Sequence, residues 1–216
     1  MGPLGGGAYV KPGDRVGWQG GLYALQAYSQ LAVHAGALTA LSLQGYAHYV
    51  RLGVEPTFLF SPPRTKLPVW FTAHDWAQPI RHAKSSFLAK DLGLVDFQAS
   101  PSFSIRISAP ERAVLECLYL APDEVEFMEC YQVLEGLTTL RPRLLQKLLE
   151  QCGSVKVKRL LLYLAERANQ EWFKRLDLSK LDLGTGDRSF AKGGVYVSKY
   201  GIIVPPELGR LQSVHL

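Results

Sequence analysis

The sequence predicts an α+β protein in which a mixed or antiparallel sheet region is followed by a helical layer. Three observations predict it. Short strand-like runs with turn signals between them gather between residues 57 and 107. Helical periodicity dominates from 108 to 167. Regular βαβ alternation is missing, and runs of like elements favour α+β over a doubly wound sheet.

The elements follow in order. Gly5-Gly6-Gly7 and then Ala8-Tyr9-Val10 read as a tight turn feeding a short strand, ended by Pro12-Gly13, and the strand has no evident mate. Asp14 to Gln30 reads as a helix with Trp18, Leu22, Leu25 and Ala27 at its apolar positions. A second helix, Gly36 to Leu43, carries Leu38, Leu41 and Leu43, with Gly45 as its stop. Strand-like runs come next at 57–60, 67–71, 79–82, 95–97 and 103–107, the last alternating apolar and polar residues. The sheet is expected to contain Phe58, Phe60, Val69, Phe71, Ile105 and Ile107.

The texture changes at Ser108. Ser108-Ala109-Pro110-Glu111 has capping-box spacing, with proline in the first turn, where it removes no helical hydrogen bond. The helix ERAVLECLYL is apolar on nearly every side and is expected at the centre. Pro122 stops it. Further helices are expected from Asp123 to about Gly136, over Pro142–Gln151 and over Val155–Arg167. The helical layer is expected to form round Val114, Leu115, Leu118, Leu145, Leu148, Leu160, Leu161 and Leu164. After Trp172 the chain returns to loop and strand, at Gly194–Val197 and Gly201–Val204. The shift near Ser108 divides an α/β front region, 14–107, from a helical region with C-terminal strands, 108–216.

A chain of 216 residues buries a sizeable core, and 20% charged residues with 47% hydrophobic ones argue against general disorder. A net charge of +5 is mild, so the clustering of base matters more than its sum. Cys117, Cys130 and Cys152 form no CxxC pair and sit in helical segments, as buried thiols of a reducing compartment do. No apolar run approaches a membrane span and nothing resembles a signal peptide, so a cytoplasmic protein with no membrane partner is expected.

Chemistry is sparse. His34, His48, His74, His82 and His215 show no HxxxH spacing and none lies near a cysteine, so neither a metal nor a cofactor is expected. Asp177, Asp182 and Asp187 around DLGTGD offer the one acidic metal site that a nucleic-acid- or nucleotide-processing enzyme would need. However, Gly184-Thr185-Gly186 lacks the Lys-Ser/Thr and the preceding strand of a phosphate-binding loop, and a polar turn with Asx-type hydrogen bonds fits better. The reading is a protein without catalytic residues. An enzyme with that acidic site and a protein–protein interaction module are the alternatives.

One constellation does suggest a ligand. Lys156, Arg159, Tyr163 and Arg167, spaced i, i+3, i+7 and i+11, share one arc of a helix, beside an arc of Val157, Leu160, Leu161 and Leu164. Arg141, Arg143 and Lys147 lie nearby on the preceding helix. Such a stripe can contact phosphates, with the tyrosine adding a hydrogen bond or a stacking face. The competing reading is a solvated flank of a core helix.

Several segments together resemble one family. They are GGGAYVKPGD, WQGGLYALQ, HAGALTALSLQGYAHYV, PTFLFSPP, LPVWFTAHDW, ISAPERAVLECLYL, EGLTTLRPRLLQKLLEQCGSVKVKRLLLYLAER and WFKRLDLSKLDLGTGDR. In this order they resemble the AbiEi-type antitoxins of abortive-infection, type IV toxin–antitoxin systems. The resemblance implies a prokaryotic regulator that joins an N-terminal winged helix-turn-helix to an antitoxin domain. It implies binding to operator DNA in its own promoter, and antagonism of a nucleotidyltransferase-like toxin without a tight complex. In the family, residues like Gly7-Ala8-Tyr9-Val10 close the wing. Residues 1–13 are therefore read as a wing remnant, with the recognition helix not found ahead of it.

Overall fold

The computed structural model describes residues 2–5, 8–10, 17–46 and 54–210. The first two strands are β1 (Gly2–Gly5) and β2 (Ala8–Val10), and they pair antiparallel. The strand with no evident mate thus has one. Its mate, Gly-Pro-Leu-Gly, carries almost no β propensity and escapes a reading by residue type. The beginning of the expected helix at Asp14 lies outside the described residues; the helix itself, α1, runs Trp18–Ala27.

The main sheet is assembled on a strand of two residues. β3 (His34–Ala35) lies between β4 (Thr57–Ser61), to which it is antiparallel, and β7 (Phe103–Ser108), to which it is parallel. It thereby joins two pairs, the parallel β4 and β5 (Ile80–Lys84) and the antiparallel β6 (Leu94–Ser100) and β7. The order across the sheet is β5-β4-β3-β7-β6. α2 (Ala37–Leu43) follows β3 directly and ends at Gly45, whose φ of +81° suits glycine.

One expected strand is a helical turn. Residues 67–71 form α3 (Val69–Thr72), in which Phe71 is buried while Val69 is 79% exposed. Pro68 precedes the turn, and its carbonyl accepts from the N–H groups of Phe71 and Thr72. A Val-Trp-Phe run fits a pleated surface only where a neighbouring strand receives it; here the local hydrogen bonds win.

The helical layer is built on α4 (Pro110–Leu120). α5 (Phe127–Gly136), α6 (Pro142–Glu150) and α7 (Val155–Arg167) all pack against it, as does α2 from the sheet side. α5 begins at Phe127 rather than near Asp123, because residues 121–125 form turns after Pro122. Val114, Leu115, Leu118, Leu145, Leu148, Leu160, Leu161 and Leu164 are all fully buried, and with Phe58, Phe60, Ile105 and Ile107 they form one continuous core. The front and back regions are thus two layers on one core. Leu118→Ala is expected to lose roughly 2–5 kcal/mol in urea denaturation, the range for a fully buried leucine.

The expected capping box at the start of α4 is not formed. Ala109 is the N-cap residue. Ser108 Oγ instead donates to Glu116 Oε2 at 2.7 Å, and Glu111 turns to Arg141. Beyond α7, β8 (Arg188–Ser189), β9 (Val195–Val197) and β10 (Ile202–Val204) form a small sheet in the order β8-β10-β9, and α8 (Pro206–Gly209) follows. Cys117, Cys130 and Cys152 are buried and form no disulfide.

Candidate nucleic-acid interface

The basic stripe of α7 is spent on the fold. Arg159 is 5% exposed, and its guanidinium donates to four carbonyls of the C-terminal segment: Leu183 at 2.8 Å, Gly184 at 3.1 Å, Gly186 at 2.7 Å and Gly201 at 2.9 Å. Tyr163 is buried, and its hydroxyl donates to Leu208 O. Arg167 Nη2 donates to Gly209 O, and its guanidinium lies 5.7 Å from the Tyr163 ring centre. Lys156 Nζ donates to Tyr119 O and Ala121 O, both at 2.7 Å, so it caps the end of α4. Its half-burial lowers the ammonium's affinity for a proton. The expected phosphate-binding arc therefore faces protein carbonyls. A helix that reads amphipathic is covered on both arcs, because the segment 181–209 folds back over the basic one.

The other three candidates stand differently. Arg141, Arg143 and Lys147 are exposed along α6 and line one groove with Arg175, Leu92 and Leu144. Arg175 belongs to a 3-10 turn, Glu171–Arg175, and reaches the groove because Trp172 anchors that turn by donating to Leu137 O at 2.8 Å. Spacing could not have found it, since it is 28 residues from Lys147 in the chain.

Arg141 is held in place. Its Nε and Nη2 donate to the two carboxylate oxygens of Glu111 at 3.0 and 2.9 Å, and its backbone N–H donates to Oε1 at 2.7 Å. Burial alone would raise the Glu111 pKa; the bonds from Arg141 outweigh it and leave the carboxyl below its ordinary value. Arg143, Lys147 and Arg175 form no ion pair with a carboxylate among the described residues. Glu150 and Asp177 also line the groove, but Glu150 accepts from Gln146 and Asp177 from Ser179 and Lys180.

This placement runs against helix stability. A helix N-terminus carries partial positive charge and favours Asp or Glu in its first turn, whereas α6 has no acid there and begins Arg141-Pro142-Arg143. The anion at this end is the Glu111 carboxylate, which accepts from the Arg141 N–H, and Arg143 adds positive charge beside it.

The acidic alternative does not converge. Asp177 accepts from Ser179, Asp182 Oδ1 from the N–H of Gly184, and Asp187 Oδ1 from the Tyr196 hydroxyl. The first two are local turn bonds and the third joins two segments of the C-terminal region, so the three carboxylates are engaged separately. Among the described residues no group of three or more His, Cys, Asp or Glu side chains is placed to hold a metal ion. His74 is exposed and its ring lies tilted against Trp76, with the centroids 4.2 Å apart. Among the described residues no helix is long and apolar enough to cross a membrane.

The sequence reading also passed over the polar centre of the molecule. Glu116 is fully buried in the middle of α4 and accepts four hydrogen bonds. The donors are His34 Nε2 at 2.9 Å, Ala37 N at 3.0 Å, Ser108 Oγ at 2.7 Å and Arg112 Nε at 2.8 Å. The signal was present: Arg112 and Glu116 stand at i, i+4 on a helix that is otherwise apolar all round, where charges have no solvent to meet.

Comparison with known proteins agrees with the architecture. Residues 55–205 match the family model described as transcriptional regulator, AbiEi antitoxin, type IV toxin–antitoxin system. Residues 1–52 match the model of the AbiEi antitoxin N-terminal domain, so that domain is represented well beyond the wing remnant of 1–13. A search among curated proteins gives no match. Among solved structures, that of the RV2827C protein from Mycobacterium tuberculosis superposes with a TM-score of 0.57 at 14% identity, over 83% of this chain and 64% of that one. The likeness is one of fold, and this chain spans less than two thirds of that protein's length. The segment-by-segment resemblance and the two family matches agree, and the chain belongs to the family of AbiEi antitoxins, transcriptional regulators of type IV toxin–antitoxin systems.

Proposed function

We propose that this chain is a non-catalytic cytoplasmic regulator that contacts the phosphates of its operator DNA through the α6 groove. It antagonises a nucleotidyltransferase-like toxin encoded in the same operon, without a tight complex. The observation that carries the DNA contact is the set of exposed cations without carboxylate partners, Arg143 in the first turn of α6, Lys147 in its last turn and Arg175 from the 3-10 turn, gathered in one groove beside the anchored Arg141. Phosphate contacts position a protein on a duplex and do not specify sequence. The groove is therefore the affinity element, and base reading belongs to the winged-helix part of the family's architecture.

The test is the triple substitution Arg143/Lys147/Arg175→Glu. All three side chains are exposed, so the variant is expected to fold with an unchanged urea midpoint. Its affinity for operator-length duplex is expected to fall, and the slope of log K against log salt to shrink by roughly 2–3, about 0.9 per lost phosphate contact. An unchanged affinity and slope would remove the groove from DNA binding. Co-expression with the toxin gene of the operon reads the other half: loss of protection by the same variant ties the groove to antitoxicity too, and full protection separates the two activities. The corresponding substitutions on α7, at Lys156, Arg159 and Arg167, would test the fold instead.

A further inference from the structure

A second cationic site is a cavity of about 350 Å3 lined by β3, the end of β4, the segment 85–94 and Arg112 of α4. At its base are two side chains that are nine-tenths or more buried, Arg112 at 5% exposure and His34 at 5%. Both are fixed from behind by Glu116, through Arg112 Nε and His34 Nε2. Arg112 Nη1 is committed as well, to Ala89 O and Leu92 O, each at 2.7 Å. That leaves Nη2, which meets no acceptor among the described residues, as the guanidinium nitrogen available to the cavity that Arg112 lines. Arg112 Nη2 is not among the buried side-chain atoms left without a partner, so it is open to the cavity and free to donate to a ligand there.

The surroundings define the ligand's charge and size. Lys90 and Arg106 are exposed at its rim, Ser85 and Ser86 add hydroxyls, and among the described residues Asp91 is the one carboxylate in the lining. Asp91 lies 3.6 Å from Arg106 and is offset by it. Glu116, behind the base, is saturated with donors and does not face the cavity as a free acceptor. The far wall is apolar, formed by Leu31, Phe60, Phe87 and Leu94. The volume is near the lower end of small-ligand pockets, about 300–1,000 Å3, and far too small for a polymer.

We infer that this cavity binds a small phosphate monoester, its phosphoryl group on Arg112 Nη2 and Lys90 and its organic part against Leu31 and Phe87. Three cations, Lys90, Arg106 and Arg112, against the carboxylates of Asp91 and Glu116 leave the site net positive, and a guanidinium locked by a carboxylate behind it presents its free N–H groups to a phosphoryl group without rearrangement. The site is separate from the α6 groove, and the inference does not depend on the DNA-binding reading.

Ribose 5-phosphate, inorganic phosphate and ribose serve as probes, titrated into the full chain by calorimetry at low salt. Ribose 5-phosphate is expected to bind saturably at one site, inorganic phosphate more weakly and ribose not at all. The guanidinium NMR resonance of Arg112 is expected to shift on saturation. Lys90→Glu, at an exposed position that leaves the core untouched, is expected to weaken binding roughly tenfold or more, as reversal of one charge beside a dianion should. Arg143/Lys147/Arg175→Glu is expected to leave it unchanged, which separates this site from the groove. Ribose binding as tightly as its phosphate, Lys90→Glu binding like the parent, or an Arg112 resonance that stays put at saturation would each overturn the inference. So would inorganic phosphate matching the ester, since the apolar wall would then contribute nothing.

Discussion

Glu116→Ala is expected to lose roughly 3–5 kcal/mol, enough to leave the protein partly or wholly unfolded at room temperature. The size follows from what stays behind. The carboxylate is fully buried and takes donors from four elements: β3 through His34, the start of α2 through Ala37, β7 through Ser108, and α4 itself through Arg112. Ala37 has a φ of +47°, unusual for alanine, and the bond from its N–H to Glu116 Oε2 holds it there. Gly36 beside it has no room for a side chain, because a Cβ would lie 2.3 Å from Glu116 Oε2. Truncation leaves a largely buried guanidinium without its counter-charge and the Ala37 N–H without its acceptor.

The same carboxylate sets an acid limit. Burial by itself raises its pKa. The charge and hydrogen bond of His34, the charge of Arg112 and the Ser108 hydroxyl together outweigh burial and bring it from 4.5 to about 2. The unfolded chain binds this proton near pH 4.5 and the folded chain resists it until about pH 2. Its contribution is therefore fully present above about pH 4.5 and is lost as the pH falls toward 2, on the order of 3 kcal/mol in all. Urea denaturation of the parent and of Glu116→Gln across that window checks it: the parent's stability should fall more steeply with acid. Parallel curves would mean that the carboxylate is not held ionised by its neighbours.

These contacts explain which parts of the molecule could be read from its residues. The helical core could be, because Val114, Leu115 and Leu118 on α4 and the leucines of α6 and α7 repeat at helical spacing, and burial follows periodicity. Strand β7 was legible from its alternation, and β4 and β6 as short apolar runs between turn signals. The two-residue β3 was not, since a strand of that length has no period, although it joins the two halves of the sheet. Nor was the fate of the α7 stripe. Periodicity assigns Lys156, Arg159, Tyr163 and Arg167 to one face but does not say what covers it. The cover comes from residues 183–209, whose glycines and turns carry no pattern that points back to α7. The α6 groove was half legible: Arg143 and Lys147 could be placed on an outward face, and Arg175 arrives only through the tertiary fold.

Arg159→Ala is expected to release that C-terminal cover at a cost of roughly 2–4 kcal/mol. Hydrogen bonds to a charged group contribute about 1.5–3 kcal/mol each, and part of the loss is recovered because the turn carbonyls of 184–187 regain water. The guanidinium spans carbonyls from two stretches of chain, Leu183 to Gly186 on one side and Gly201 on the other. Gly201 is at φ +58°, and a Cβ there would stand 3.0 Å from Arg159 Nη1, so the chain approaches as closely as it does only because that residue is glycine. Arg159→Lys is expected to recover little, since a single ammonium on a flexible stem does not reproduce a planar fork across four acceptors. Hydrogen exchange separates the local effect from the global one. The amides of Ile202 and Val204 should lose protection in both variants, while those of Leu115 and Leu118 in α4 fall only by the change in global stability. A lysine variant with parental protection at Ile202 would show that charge alone holds the cover, and that the fork does not.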